Sequence, residues 1–230
     1  MPILKFLGVG NAFSNKSSNT SAYFVQEDEL FLLDCGESVF HEFKKLDLKN
    51  KKFTILLTHF HSDHTGSLGS LVFYLRNNGV DKENIRVFHP ETIKIKNLLD
   101  LFDLWEDCTL IDNLQYAFNN KIEFFKQSHY KSFSYGYLIK LNNKTIYFSG
   151  DTCEVNEKVL EKFLKLEIDE LYIDTCLNDS FGYHLTLDAL MEIFPIEYRH
   201  KIYCMHLPDE LNDDMILKNN FNIVIRRGER

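Results

Sequence analysis

The chain has 230 residues, 44% of them apolar and 26% charged, as expected of a soluble globular protein with one sizeable core in a single domain over 1–230. A net charge of −8 argues against a large basic nucleic-acid footprint, although bound divalent cations would invert the local field and admit an anionic substrate. Five scattered cysteines with no C-x-x-C pair favour reduced thiols in a cytoplasmic protein, the N-terminus lacks the layout of a signal peptide, and no apolar run approaches the roughly 18 residues that would cross a bilayer.

In chain order, residues 3–9 read as a first strand ending in Gly8-Val9-Gly10-Asn11. Two further strands, 21–26 and 30–33, flank the acidic turn 27–29. Asp34-Cys35-Gly36 then precedes a predicted helix over 37–46, with Val39, Phe40, Phe43 and Leu46 on one face. From position alone, Asp34 suits its N-cap. Residues 53–58 read as a buried strand and 67–75 as a helix with apolar residues at helical spacing. A strand at 85–88 and a helix over 91–104 follow. Residues 121–126 and 135–141 are rich in aromatic and β-branched side chains and read as strands, with Ser128-His129-Tyr130 between them. A strand from 144 ends in Ser149-Gly150-Asp151-Thr152, where Asp151 could cap a helix beginning near 155. The strand at 171–174 leads into Asp174-Thr175-Cys176, an echo of Asp151-Thr152-Cys153, and Asp174 reads as a loop or cap residue, with a role in the site as the lesser alternative. His184 stands just before a helix, 201–205 is a strand delivering His206, and a helix at 209–218 and a strand at 222–225 close the chain.

Between the strand at 53–58 and the helix at 67–75 lies His59-Phe60-His61-Ser62-Asp63-His64, a run of the form H-x-H-x-D-H. Four metal-capable side chains fall within six residues. In an extended segment His59 and His61 point to the same side, and the turn into the helix aims Asp63 and His64 another way. One short loop can therefore serve two metal ions. The bland alternative, a polar loop with ordinary histidines, leaves this density of ligands unaccounted for.

H-x-H-x-D-H between a buried strand and a helix resembles the metallo-β-lactamase superfamily. The resemblance implies a four-layered αββα sandwich of mixed α/β (α+β) class, which suits the alternation of strands and helices in two similar halves. It also implies the remaining ligands: His129 as the third histidine, Asp151 as the carboxylate bridging both metals, and His206 as the last histidine. One ion would take His59, His61, His129 and a share of Asp151, the other Asp63, His64, His206 and the rest of Asp151. Asp34 would orient the ligand loop by hydrogen bonding. Nitrogen and oxygen ligands without thiolate suit two Zn²⁺ ions, and Mn²⁺ or Fe²⁺ are compatible by ligand type.

The implied reaction is hydrolysis by a metal-held hydroxide, with Asp63 orienting the nucleophile. His184, 22 residues before His206 in a His-x-Thr run, resembles the extra histidine of the ribonuclease Z branch and its small phosphodiesterase relatives. There it would donate a hydrogen bond to a phosphoryl oxygen or protonate the leaving group; as a surface residue it would merely cap a helix. The ribonuclease branch inserts a tRNA-gripping arm between its third histidine and its bridging aspartate. Here only 21 residues separate His129 from Asp151, which with the acidic balance weighs against folded tRNA. The expected substrate is a small phosphodiester or nucleotide-like molecule, with no membrane partner. An ester, thioester or lactone hydrolase would share every ligand, and a non-catalytic metal-binding sensor is the reading from another class. No stretch identifies a dimer interface, although homodimers are common. Most of the 20 Phe and 11 Tyr are expected in the core, and Tyr130, Tyr135 and Phe181 are near the site in sequence.

Overall fold

The computed structural model describes residues 2–47 and 52–224. The first half forms β1 (Lys5–Gly8), β2 (Ser21–Gln26), β3 (Glu29–Leu33), α1 (Val39–Phe43), β4 (Lys52–Leu56), α2 (Ser62–Thr65), α3 (Leu68–Asn77), β5 (Ile85–Phe88), α4 (Thr92–Asp100), β6 (Thr109–Leu110) and α5 (Leu114–Ala117). The second forms β7 (Ile122–His129), β8 (Ser132–Leu141), β9 (Lys144–Phe148), α6 (Glu157–Leu164), β10 (Glu170–Asp174), α7 (Leu187–Ile193), β11 (Ile202–Met205), α8 (Asp213–Leu217) and β12 (Asn222–Ile223).

The strands make two six-stranded sheets, ordered β1-β2-β3-β4-β5-β6 and β12-β11-β10-β9-β8-β7. Each half begins with two antiparallel pairings and continues with three parallel ones. The halves therefore repeat one topology, and the four-layered αββα sandwich follows from how their faces are covered. Successive side chains of a strand point to opposite faces. In β3, Phe31 and Leu33 join the core between the sheets, while Leu30 and Leu32 face α1, α3 and α4. In β10, Tyr172 enters the inter-sheet core, while Leu171 and Ile173 pack with Val159 and Phe163 of α6. Each such buried aliphatic or aromatic side chain contributes about 1.5–3 kcal/mol.

This topology brings the functional loops to one edge. β3, β4, β5 and β6 run parallel, as do β9, β10, β11 and β12, and β7 shares their sense because two antiparallel pairings separate it from β9. The carboxyl ends of β3, β4, β7, β9, β10 and β11 deliver Asp34, the H-x-H-x-D-H run, His129, Asp151, Asp174 and His206. Open α/β sheets bind ligands beyond the carboxyl ends of their strands.

Several boundaries differ from the sequence expectation. The helix predicted over 37–46 is helical only at Val39–Phe43, and that predicted over 91–104 ends at Asp100. β7 runs on to His129, so this residue ends a strand whose two-residue turn, Tyr130-Lys131, leads directly into β8. β6 and α5 are too short for hydrophobic periodicity to register. Ile225, the end of the last predicted strand, lies outside the described residues. No helix among the described residues is long and apolar enough to cross a membrane.

Candidate metal centre

Seven side chains from four places in the sequence converge at the shared edge. His59, His61, His129 and Asp151 form one group, and Asp63, His64, Asp151 and His206 a second; within each, one potential ligand atom per residue lies within 4.8 Å of the others. Asp151 joins them. Its Oδ2 lies 3.8 Å from His59 Nε2 and 3.6 Å from His129 Nε2, and its Oδ1 lies 3.1 Å from His64 Nε2 and 3.4 Å from His206 Nε2. Asp63 Oδ2 is 3.2 Å from His64 Nε2 and 3.3 Å from His206 Nε2. His129 Nε2 and His61 Nδ1 are 3.2 Å apart. Ligands held at about 2.1 Å around a tetrahedral cation stand about 3.4 Å from one another, which is the spacing found. The buried His59 Nε2, His64 Nε2 and Asp151 Oδ1 have no hydrogen-bond partner. Buried polar atoms are normally satisfied, so orphaned atoms facing one another fit a divalent cation.

The Nδ1 atoms of His59, His64, His129 and His206 are held as well. Asp34, completely buried, accepts hydrogen bonds from the Thr58 backbone N–H at 2.7 Å, from Thr58 Oγ1 at 2.8 Å and from His64 Nδ1 at 2.8 Å. With the Thr58 hydroxyl proton committed to Asp34, Oγ1 receives the His59 Nδ1 proton at 3.0 Å. His129 Nδ1 donates to the Tyr183 carbonyl at 3.0 Å. These partners leave the Nε2 lone pairs of His59, His64 and His129 directed inward, as metal ligation requires. The N-cap of α1 is Ser38, so Asp34 serves the ligand loop and not the helix. Likewise α6 is capped by Asn156 and not by Asp151.

Asp174, which reads from sequence as a loop or cap residue, is completely buried beneath the site. Its Oδ1 lies 3.2 Å from His206 Nδ1, and its Oδ2 accepts from His184 Nδ1 at 2.7 Å and from the Thr152 N–H at 2.9 Å. The echo between Asp174-Thr175-Cys176 and Asp151-Thr152-Cys153 was the signal for it. His184 stacks on His206 with centroids 5.1 Å apart, and α7 is capped by Thr186, not by His184. Asp151, Asp174, His184 and His206 also qualify by proximity as a third ligand group. Asp174 binds Nδ1 of His184 as it does that of His206, but His184 stands outside the two groups that join Asp151 to the H-x-H-x-D-H run.

Backbone constraint accompanies these contacts. Asp34 (φ 62°) and His206 (φ 60°) are both left-handed, a conformation costing a non-glycine residue about 1–3 kcal/mol and concentrated at functional sites. A Cβ on Gly36 would lie 1.8 Å from the Asp63 carbonyl oxygen. Gly36→Ala must therefore push the ligand loop from the start of α1; we expect metal affinity to fall at least about tenfold and stability by about 1–3 kcal/mol, read by metal titration and urea denaturation.

Without a cation the cluster holds protons. Burial opposes charging His206, but the Asp151 and Asp174 carboxylates outweigh it and raise its pKa to about 10. Burial likewise opposes charging His64, which Asp151, Asp34 and Asp63 raise well above the ordinary histidine value. Burial and the neighbouring His64 depress His59. A cation must displace the protons on His64 and His206, so affinity should rise with pH from neutrality toward about 10. Calorimetry in buffers of different ionisation enthalpy should show at least one proton released per chain near pH 7.5; a proton-neutral association would contradict the assignment.

A cleft of about 1220 Å³ opens over the centre, lined by His61, Asp63, His129, Asp151, His184 and His206 together with Tyr130 and Phe181. Tyr135 is instead buried behind the ligand loop, against the buried His89.

A family profile described as Anti-Pycsar protein Apyc1 matches residues 3–230. The chain is 26% identical over 247 residues to the Anti-Pycsar protein Apyc1 of Bacillus phage BSP38, covering 91% of this chain and 90% of that protein. Among solved structures, the short form of human tRNase Z superposes with TM-score 0.72 at 19% identity, over 97% of this chain and 96% of that one. The metallo-β-lactamase fold protein YhfI of Bacillus subtilis superposes with TM-score 0.73 at 17% identity, over 97% and 95%. Both superpositions establish the metallo-β-lactamase fold.

Proposed function

We propose that this chain, which belongs to the Anti-Pycsar protein Apyc1 family, is a dinuclear metal-dependent phosphodiesterase that opens a cyclic nucleotide. The observation that carries the reading is His184, fixed by Asp174 at 2.7 Å beside the two ligand groups and lining their cleft. A second supporting feature is the short path from His129 to Asp151, filled by β8 and β9 with no inserted arm. Such a site suits a small phosphodiester better than folded tRNA.

His59, His61, His129 and Asp151 would hold one ion, and Asp63, His64, His206 and Asp151 the other, with Zn²⁺ favoured by the donor set. Bound there, the ions would polarise a phosphoryl oxygen and acidify water for attack. The chain's own part is positional and protonic. Asp63 lines the cleft and can accept a hydrogen bond from the attacking water. As the new P–O bond forms and the ring ester P–O bond breaks, the departing ribose oxygen needs a proton. His184 can supply it: burial opposes its charging, but Asp174 and Asp151 raise its pKa above the ordinary histidine value and so favour the protonated form. Asp174 holds the Nδ1–H and the opposite nitrogen becomes the acid.

The test is a screen of protein reconstituted separately with Zn²⁺ and Mn²⁺. We expect a nucleoside 3′,5′-cyclic monophosphate to be converted to the acyclic monophosphate, with loss of activity in a chelator. Turnover of esters, thioesters or lactones without phosphodiesters would replace this reading with an acyl hydrolase; metal binding with no turnover would replace it with a sensor.

A further inference from the structure

The cleft has an unusual charge and ring inventory. Glu37, Asp63, Asp151, Asp179 and Glu210 line it, and among the described residues no Lys or Arg does. Such a wall repels polyanions, so a substrate must present few charges beyond those that reach the metal ligands. What the wall offers instead is aromatic. Phe181 stacks on Tyr183 with centroids 5.6 Å apart and planes 12° apart; Tyr183 meets Tyr130 edge-on at 4.6 Å, and Tyr130 meets the metal-group residue His61 at 5.9 Å. The rings thus lead from solvent to the ligand groups. Phe181 and Phe13, both lining the cleft, are 76% and 88% exposed.

These exposed rings are mounted on braced turns. The Asp179 carboxylate accepts the backbone N–H groups of Phe181 at 2.9 Å and His184 at 2.5 Å, and also that of Tyr183. One carboxylate therefore sets both Phe181 and His184. The Asp209 carboxylate accepts from Ser14 Oγ at 2.6 Å and from the Asn15 and Lys16 N–H groups at 3.0 and 3.2 Å, holding the turn that follows Phe13. Held, water-exposed rings in a cleft whose described lining has no Lys or Arg complement a flat, uncharged aromatic surface.

We propose that Phe181, backed by Tyr183 and Tyr130, together with Phe13, seats the nucleobase of the substrate by stacking. The inference rests on the phosphodiesterase reading of the site. Every base has a π-face, so the seat favours nucleotides over base-free sugar phosphates with little distinction between bases.

To test it, metal-loaded wild type, Phe181→Ala, Phe181→Trp, Phe13→Ala and the double alanine variant are titrated calorimetrically with a nucleoside 5′-monophosphate and with ribose 5-phosphate. KM for a nucleoside cyclic monophosphate and sedimentation of each variant are measured alongside. Wild type should bind the nucleotide at least about tenfold more tightly than the base-free phosphate. The alanine variants should lose most of that preference, with KM rising in step, and Phe181→Trp should retain it. Equal binding of the two ligands by wild type, or full preference in the double variant, overturns the proposal. So does dissociation of an oligomer by these substitutions with the preference intact, which would make the rings a contact between copies. Base preference without turnover of any cyclic nucleotide would sink the proposed activity and leave the seat standing.

Discussion

Asp151→Asn is expected to lower kcat/KM by about 10³-fold or more and to reduce bound metal by at least one ion per chain. Asp151 is the one side chain common to both ligand groups, Oδ2 facing His59 and His129 and Oδ1 facing His64 and His206. A carboxylate can hold two hard cations at fixed separation through its two oxygens. The isosteric amide keeps one oxygen but replaces the other with a donor NH₂ group and removes the negative charge. One ligand group then presents N–H to its cation, and the cation–cation repulsion loses its screen. Burial tends to raise the Asp151 pKa, yet His206 and His64 hold it well below the usual carboxylate range, so the charge is present at every working pH. Metal analysis by mass spectrometry beside steady-state kinetics checks the prediction. A variant that kept full metal and activity would refute the bridging role, and with it the proposed dinuclear centre.

His184→Ala should behave oppositely toward metal: content unchanged, kcat for a cyclic nucleotide reduced about 10²–10⁴-fold. The distinction follows from geometry, because His184 Nδ1 is bound to Asp174 and the two ligand groups joined by Asp151 are complete without it. The leaving group supplies an internal control. A ribose alkoxide is a strong base and needs the proton, whereas p-nitrophenolate leaves unaided, so turnover of bis(p-nitrophenyl) phosphate should fall far less. The pH profile carries a sign. A general acid must be protonated, so wild-type kcat should decline as pH rises through the raised His184 pKa, and this alkaline limb should vanish in the variant. Equal losses on both substrates, or an unchanged profile, would indicate a merely structural histidine. Asp174→Asn should shift the same limb downward, since the carboxylate that favours imidazolium would be gone.

Much of the centre was legible because ligands cluster where strands end. The H-x-H-x-D-H run is contiguous, so its chemistry can be read without knowing the rest of the fold. His129, Asp151 and His206 follow from their places at strand ends once the superfamily pattern is recognised, and the structure brings all three to that run. Helix ends were less legible: Asp100 and Phe43 close their helices earlier than apolar spacing suggests, since helical pattern persists where tertiary packing no longer supports it.

The sequence by itself determined the candidate ligand types, their order and the strand-then-loop setting, because these depend on neighbouring residues, on side-chain alternation and on the superfamily pattern. Only the tertiary structure decided which buried carboxylate serves which imidazole. Asp34 reaches His64 from 30 residues away, and Asp174 reaches both His184 and His206, 10 and 32 residues away. It decided also that the cleft wall is aromatic and, among the described residues, without Lys or Arg. Those pairings arise because parallel strands distant in sequence become neighbours in a sheet, β3 beside β4 and β10 beside β11, and a hydrogen bond between the loops at their ends leaves no periodic trace in the chain.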